Sequence, residues 1–153
     1  MGHSIRNGVM KVYLEEPGVK EVTVPHTVTS IGAGAFIRCK GITSVTISDH
    51  VEDIGDYAFT GCTSLESITL GKNLKKIGRW SFEGCVNLKA LTIPECVKTI
   101  GDGAFRDCEK LETVTLSGGL KAIKMNLFNK CKNLKKISIP DSVTAIEAGA
   151  FIG

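Results

Sequence analysis

No stretch of the 153 residues approaches the roughly eighteen consecutive apolar residues of a membrane-spanning helix. The opening MGHSIRNGVMKVYLEEPG has no apolar stretch of the kind that marks a secretory signal. The sequon N-x-S/T is missing, which disfavours a glycosylated eukaryotic secretory domain, and neither G-x-S-x-G nor H-E-x-x-H occurs. Charge of one sign is scarce as well: the net of +3 is too small to imply nucleic acid by itself. At 42% hydrophobic and 23% charged, the chain is too apolar for intrinsic disorder, and its length suits one domain.

Aromatic residues make up only 6% of the chain, and their placement is the strongest signal in it. The six phenylalanines, Phe36, Phe59, Phe82, Phe105, Phe128 and Phe151, are each 23 residues apart. Cys39, Cys62, Cys85, Cys108 and Cys131 keep the same spacing, and so do Ile31, Ile54, Ile77, Ile100, Ile123 and Ile146. Three columns in one register define a repeat, and a fixed period of this length predicts a solenoid.

Within the unit CTSLESITLGKNLKKIGRWSFEG, Leu65, Ile68 and Leu70 give L-x-x-I-x-L, whose last two apolar positions alternate as in a strand with one buried face. Gly71, or Pro25, Pro94 and Pro140 at the same phase, ends the strand. Leu74 and Ile77 predict a second short extended segment. Gly32, Gly55, Gly78 and Gly101 mark a turn, and A-F-x-x-C reads as one turn of helix. A unit this small cannot bury its own apolar face, so the units must stack and share a core. The strands facing the inner, concave side are expected near 22–24, 45–47, 68–70, 91–93, 114–116 and 137–139, in a right-handed solenoid of about six turns.

The pattern resembles a leucine-rich repeat, L-x-x-L-x-L-x-x-N/C. Of His50, Asn73, Cys96, Gly119 and Ser142 at the Asn/Cys position, only Asn73 and Cys96 fit, so the usual asparagine ladder is mostly missing. The likeness is closer to the BspA-like, or treponemal-type, repeats: residues 42–62 read ITSVTISDHVEDIGDYAFTGC. It spans residues 19 to 153. The resemblance implies a leucine-rich-repeat β-solenoid with a parallel sheet and short helical turns, of a kind found in surface and secreted proteins of anaerobic bacteria and in parasitic protists. It further implies binding of host proteins or other cells. Cell-surface or secreted display follows from the resemblance, and a cytoplasmic location would follow if the chain is complete.

Residues 1–18 read as an N-terminal cap and lead-in, with Tyr13 at the phenylalanine phase, and 19–153 as about six repeats, the last truncated. The missing cap after Gly153 points to a longer protein or to cover by another molecule. Ile137, Ile139, Val143, Ile146 and Phe151 then lack a following repeat. Charge is graded along the chain: residues 1–70 carry −3, 71–118 carry +2, and 119–153 carry +4. The gradient is either drift among solvated side chains, or steering of an acidic partner, or a basis for end-to-end self-association in which the basic C-terminal end meets the acidic N-terminal end.

Chemistry finds few candidates. In-register cysteines of a stack point the same way, which disfavours disulfides, and a row spaced by 23 offers no zinc clamp. They are expected to be buried thiols, with no metal and no cofactor. GAGAF at 32–36 fails G-x-G-x-x-G at Ile37, and GDYAF and GRWSF show it to be a repeat element. No enzyme is expected.

The exposed strand face is the candidate site. Thr23, Thr46, Thr69, Thr92, Thr115 and Ser138 form one hydroxyl column, and Glu21, Ser44, Ser67, Ala90, Thr113 and Lys136 the column before it. Glu66, Lys89, Glu112 and Lys135 alternate in sign beside them, as cross-strand pairs do. The tentative contact set is Thr46, Glu66, Thr69, Lys89, Thr92, Glu112, Thr115, Lys135 and Lys136. Aromatic anchors are missing from it, while Tyr57 and Trp80 form a second patch on the turn side. The expected role is a non-catalytic protein-protein interaction module with a protein partner, no nucleic acid and no membrane insertion. The alternatives are a structural spacer in a longer surface protein and, remotely, ice or crystal-surface binding by the threonine ladder.

Overall fold

The computed structural model describes residues 3–153. It begins with the antiparallel hairpin β1 (His3–Arg6) and β2 (Val9–Tyr13). Asn7 and Gly8 between them both have positive φ, 52° and 74°, which two-residue hairpin turns demand. From β2 onward the chain winds into a parallel β-solenoid. Each turn contributes one strand of three residues and one of two. The first set is β3 (Glu21–Thr23), β5 (Ser44–Thr46), β7 (Ser67–Thr69), β9 (Ala90–Thr92), β11 (Thr113–Thr115) and β13 (Lys136–Ser138). The second is β4 (Ser30–Ile31), β6 (Asp53–Ile54), β8 (Lys76–Ile77), β10 (Thr99–Ile100), β12 (Ala122–Ile123) and β14 (Ala145–Ile146). Every pairing within the two sets is parallel with a shift of 23, so Val45 lies beside Val22 and Ile68, and Ile54 beside Ile31 and Ile77.

The first set begins one residue earlier than apolar alternation predicts. Alternation reports which side chains are buried, whereas a strand is defined by backbone pairing. The Ser44 N–H already donates to the Lys20 carbonyl (3.1 Å), ahead of buried Val45.

The A-F-x-x-C segment is not helical, and no helix occurs among the described residues. Its backbone N–H groups alternate between two jobs. Ala35, Ile37 and Cys39 close tight turns to Gly32, Gly34 and Phe36, while Gly34, Phe36 and Arg38 donate to Asp56, Ala58 and Thr60 of the next turn at 2.7–2.9 Å. A helix would commit every N–H to its own segment and leave nothing to join neighbouring turns. The alternation needs left-handed backbone two residues before and two after each phenylalanine. Gly34, Gly61, Gly84, Gly103 and Gly149 fill such positions without strain, and Tyr57, Trp80 and Asp107 fill them with side chains.

The core is one stack. Tyr13 and the six phenylalanines lie with ring planes within 20° of each other and centroids 4.7–5.7 Å apart. The Tyr13–Phe82 spacings are 4.7–5.0 Å and the later ones 5.5–5.7 Å. Ladder spacing is about 4.8 Å, so the centroids of the later rings stand farther apart than ladder-paired strands. Cys39, Cys62, Cys85, Cys108 and Cys131 are buried in this core. Four of their thiols donate to the carbonyl of the phenylalanine 26 residues earlier, at 3.0–3.3 Å. Burial pushes the Cys39 thiol up to about 11 and those of Cys62 and Cys131 to about 12.

Stacking at this spacing leaves no room on one edge. A Cβ on Gly55, Gly78 or Gly101 would sit 2.5–2.7 Å from backbone nitrogen of the preceding turn. The glycine column ends at Lys124. There the second ladder is interrupted, since β10 pairs with β8 and β12 with β14 but not with each other. The first ladder is interrupted one turn earlier, between β7 and β9.

At the far end, Ile146 and Phe151 are 57% and 42% exposed. At the ends, the outermost strand β1 carries His3 and Arg6, and the last turn, residues 131–153, carries Lys132, Lys135 and Lys136 with Asp141 and Glu147.

Two outcomes are expected. Phe82→Ala should lower stability by about 3–5 kcal/mol, and Gly78→Ala by about 1–3 kcal/mol, both measured by urea unfolding. Native protein should react with a thiol reagent at exposed Cys96 first. The five column thiols should react only on unfolding. Because their folded values are raised, stability should hold below the ordinary thiol pKa and fall as pH rises above it through 11 to 12.

Candidate functional site

The hydroxyl face is built by β3, β5, β7, β9, β11 and β13. In a strand successive side chains alternate sides. Val45, Leu91 and Val114 are buried with Ile47, Ile93 and Leu116, and the residues between them point out. Thr23, Thr46, Thr69, Thr92, Thr115 and Ser138 are all exposed. No hydrogen bond joins these hydroxyls to each other or to backbone among the described residues, so their donors and acceptors face solvent. The column before it, from Glu21 to Lys136, is exposed apart from half-buried Ser44.

A charged rim runs alongside. Lys89 Nζ reaches the Glu66 carboxylate at 2.6 Å and Lys135 Nζ reaches that of Glu112 at 3.2 Å. The Glu66 carboxyl is held below its usual range by the hydrogen bond from Lys89. Such exposed pairs add little to stability; their effect is to hold long side chains in register at the edge of the face. Lys136 projects from the outer column without an acidic partner among the described residues. The fold therefore places all nine expected contact residues on one continuous surface.

That surface is not uniform. Where β7 and β9 fail to pair, a shallow notch of about 470 Å³ opens among Ile68, Leu70, Ala90, Leu91 and Pro94. The sequence does not announce it, because every residue lining it obeys the repeat. A further feature passed unnoticed in the sequence: Asn73, Asn87 and Asn133 each donate Nδ2 to the carbonyl 24 residues earlier, at 2.7–2.9 Å. Asn87 and Asn133 stand off the family's asparagine position but make the same kind of inter-turn bond, and the spacing of 46 between them was the available signal.

The turn-side aromatics divide. Tyr57 is 46% exposed. Trp80 is half-buried and lies over Gly103, where any Cβ would meet its ring at 2.0 Å, with the Arg106 guanidinium 5.8 Å from the ring centroid. Trp80 is thus a cover for the next turn, as much as a surface. His26 and His50 stack edge to face at 6.2 Å. Among the described residues no three His, Cys, Asp or Glu side chains converge to hold a metal ion. Among the described residues no helix is long and apolar enough to cross a membrane.

A family model for the BspA type leucine rich repeat region matches six copies, over residues 11–88 and 29–153. A leucine rich cell surface protein from Faecalibacterium prausnitzii is 36% identical, with a TM-score of 0.81 over 95% of this chain and 41% of its own. A leucine-rich repeat protein from Eubacterium ventriosum is 29% identical, with a TM-score of 0.82, covering 97% of this chain and 46% of its own. The T. pallidum leucine-rich repeat protein is 28% identical at a TM-score of 0.69, over 94% and 81%. The chain thus spans less than half the length of the first two. No curated protein matches. Period, turn ladder, phenylalanine stack and these likenesses agree, and the chain belongs to the BspA-type leucine-rich repeat family.

Proposed function

We propose that the chain is a non-catalytic protein-interaction module whose hydroxyl face docks an extended segment of a protein partner. The observation that carries this reading is the column from Thr46 to Thr115: exposed, unobstructed, and with hydroxyls bonded neither to each other nor to backbone. A rigid face of small side chains loses little conformational entropy on binding, which favours recognition by shape and hydrogen bonds. Thr46, Thr69, Thr92 and Thr115 supply the bonds. The pairs Glu66–Lys89 and Glu112–Lys135, with Lys136, set charge and register at the edge. The cell-surface description of the Faecalibacterium relative supports display outside the cell, with the partner on a neighbouring cell or host surface.

The test compares the parent chain with Thr69→Glu/Thr92→Glu as immobilised bait for solubilised surface proteins. Proteins retained by the parent should be depleted about tenfold by the double variant, the effect of about 1.4 kcal/mol, while unfolding midpoints stay together. Equal retention by both baits would show that this face is not the interface. Retention by neither would favour a spacer.

A further inference from the structure

The charged columns of this solenoid follow a rule with one exception. Residues 23 apart sit side by side on neighbouring turns, and wherever two long charged side chains meet there they have opposite sign. Asp49–Lys72, Glu52–Lys75, Glu66–Lys89, Glu109–Lys132, Glu112–Lys135 and Lys124–Glu147 all close at 2.6–3.2 Å. The exception lies beside the second ladder, where Lys75, Lys98 and Lys121 follow one another in a single column. The Lys98 N–H donates to the Lys75 carbonyl at 3.0 Å, so those two are direct neighbours. Lys98 and Lys121 make no ion pair among the described residues. Like charges placed opposite each other are destabilising, and nothing in the repeat requires lysine at either position.

Lys76, Arg79 and Lys124 border the same strip. With the column they put six cations on three turns; Lys75 and Lys124 are tied to Glu52 and Glu147 of the flanking turns, and Lys76, Arg79, Lys98 and Lys121 stand against Asp102, the only acid at these phases within those turns. Beside this column runs a cleft of about 390 Å³, floored by Gly78 and Gly101 and lined by Lys76, Arg79 and Lys124 with the carboxylates of Asp56 and Asp102. One turn toward the N-terminus the same strip reverses sign, with Glu52, Asp53 and Asp56.

We infer that this strip, distinct from the hydroxyl face, is a docking groove for an extended polypeptide of bipolar charge, acidic over the three cationic turns and basic over the acidic one. Charge complementarity selects that occupant. A uniformly charged polyanion, whether sulfated glycan or nucleic acid, meets three carboxylates as soon as it extends past Lys75 and Lys76, and meets Asp102 inside the groove. A polypeptide can vary its sign along its length and offer N–H groups to Asp102. The inference stands whether or not the hydroxyl face binds anything.

The experiment uses the full chain and a fluorescein-labelled peptide with an oligoglutamate half and an oligolysine half, followed by anisotropy at low salt. Oligoglutamate, a heparin fragment and oligothymidylate serve as competitors. The bipolar peptide should bind more tightly than any competitor, and Lys98→Glu/Lys121→Glu should weaken it by at least about tenfold. Lys40→Glu/Lys110→Glu makes the same change of net charge at two exposed positions outside both surfaces and should leave binding within about twofold. Lys98→Glu alone restores sign alternation with Lys75 and Lys121, so it should raise the unfolding midpoint by about 1–3 °C while weakening the peptide. That combination separates lost binding from lost folding. No binding at low salt, equal loss in both double variants, tighter binding of heparin or oligothymidylate, or a lowered midpoint for Lys98→Glu would each overturn the assignment.

Discussion

The spacing between turns, about 4.8 Å as in any parallel ladder, is the constraint on which the rest of this structure depends. It is imposed at two strands and along the turn segment, where every second N–H donates to the neighbouring turn. Once fixed, it dictates residue choice at each phase. Phenylalanine rings can stack face to face only because their turns are one ring thickness and a small offset apart. Glycine is required at Gly55, Gly78 and Gly101 because a methyl group there would enter the preceding turn. Cysteine suits its phase because its thiol fills a small volume and donates to a phenylalanine carbonyl that also accepts the N–H closing its own tight turn. These columns are consequences of one distance.

Much of this was legible because a repeat writes the same physical demand six times. The period placed Phe36 to Phe151 and Cys39 to Cys131 in single columns, and the fold follows. Tyr13 at the phenylalanine phase was a true signal of stacking on Phe36. The antiparallel hairpin went unread although Asn7–Gly8 is a strong hairpin signal, because attention to the period favours the parallel continuation. The supposed helical turn at A-F-x-x-C was misread for a physical reason. Local sequence reports the i to i+3 turns but not that the intervening donors are claimed by another turn. The sheet interruptions at β7–β9 and β10–β12 are likewise collective properties of stacking, and no single residue announces them. Lys124 replaces the last glycine of its column at the second interruption, yet Glu147 at the same phase keeps its N–H bond to the Ile123 carbonyl (2.8 Å), so loss of glycine alone does not decide it.

Left-handed backbone at Tyr57 and Trp80 shows where the repeat tolerates strain. Four other turns have glycine or asparagine at this position, and placing a large side chain there costs on the order of 1–2 kcal/mol. Trp80 offsets the cost by covering Gly103 and engaging Arg106. Tyr57 has less obvious compensation, since its ring is nearly half exposed.

The same spacing also fixes how side chains leave the surface, in parallel columns 23 residues apart in sequence. That arrangement is suited to repeating one contact along an extended partner. Charge is the variable part of this surface: hydroxyls are constant from Thr23 to Ser138, while the charged columns differ in whether they alternate in sign. Six alternating pairs close on themselves and are silent toward a ligand at a distance. Lys98 and Lys121, which have no ion pair among the described residues, are where like charges stay next to each other at the expense of stability. Retaining like charges at the one spacing the fold cannot relax is the behaviour expected of a surface shaped by a partner.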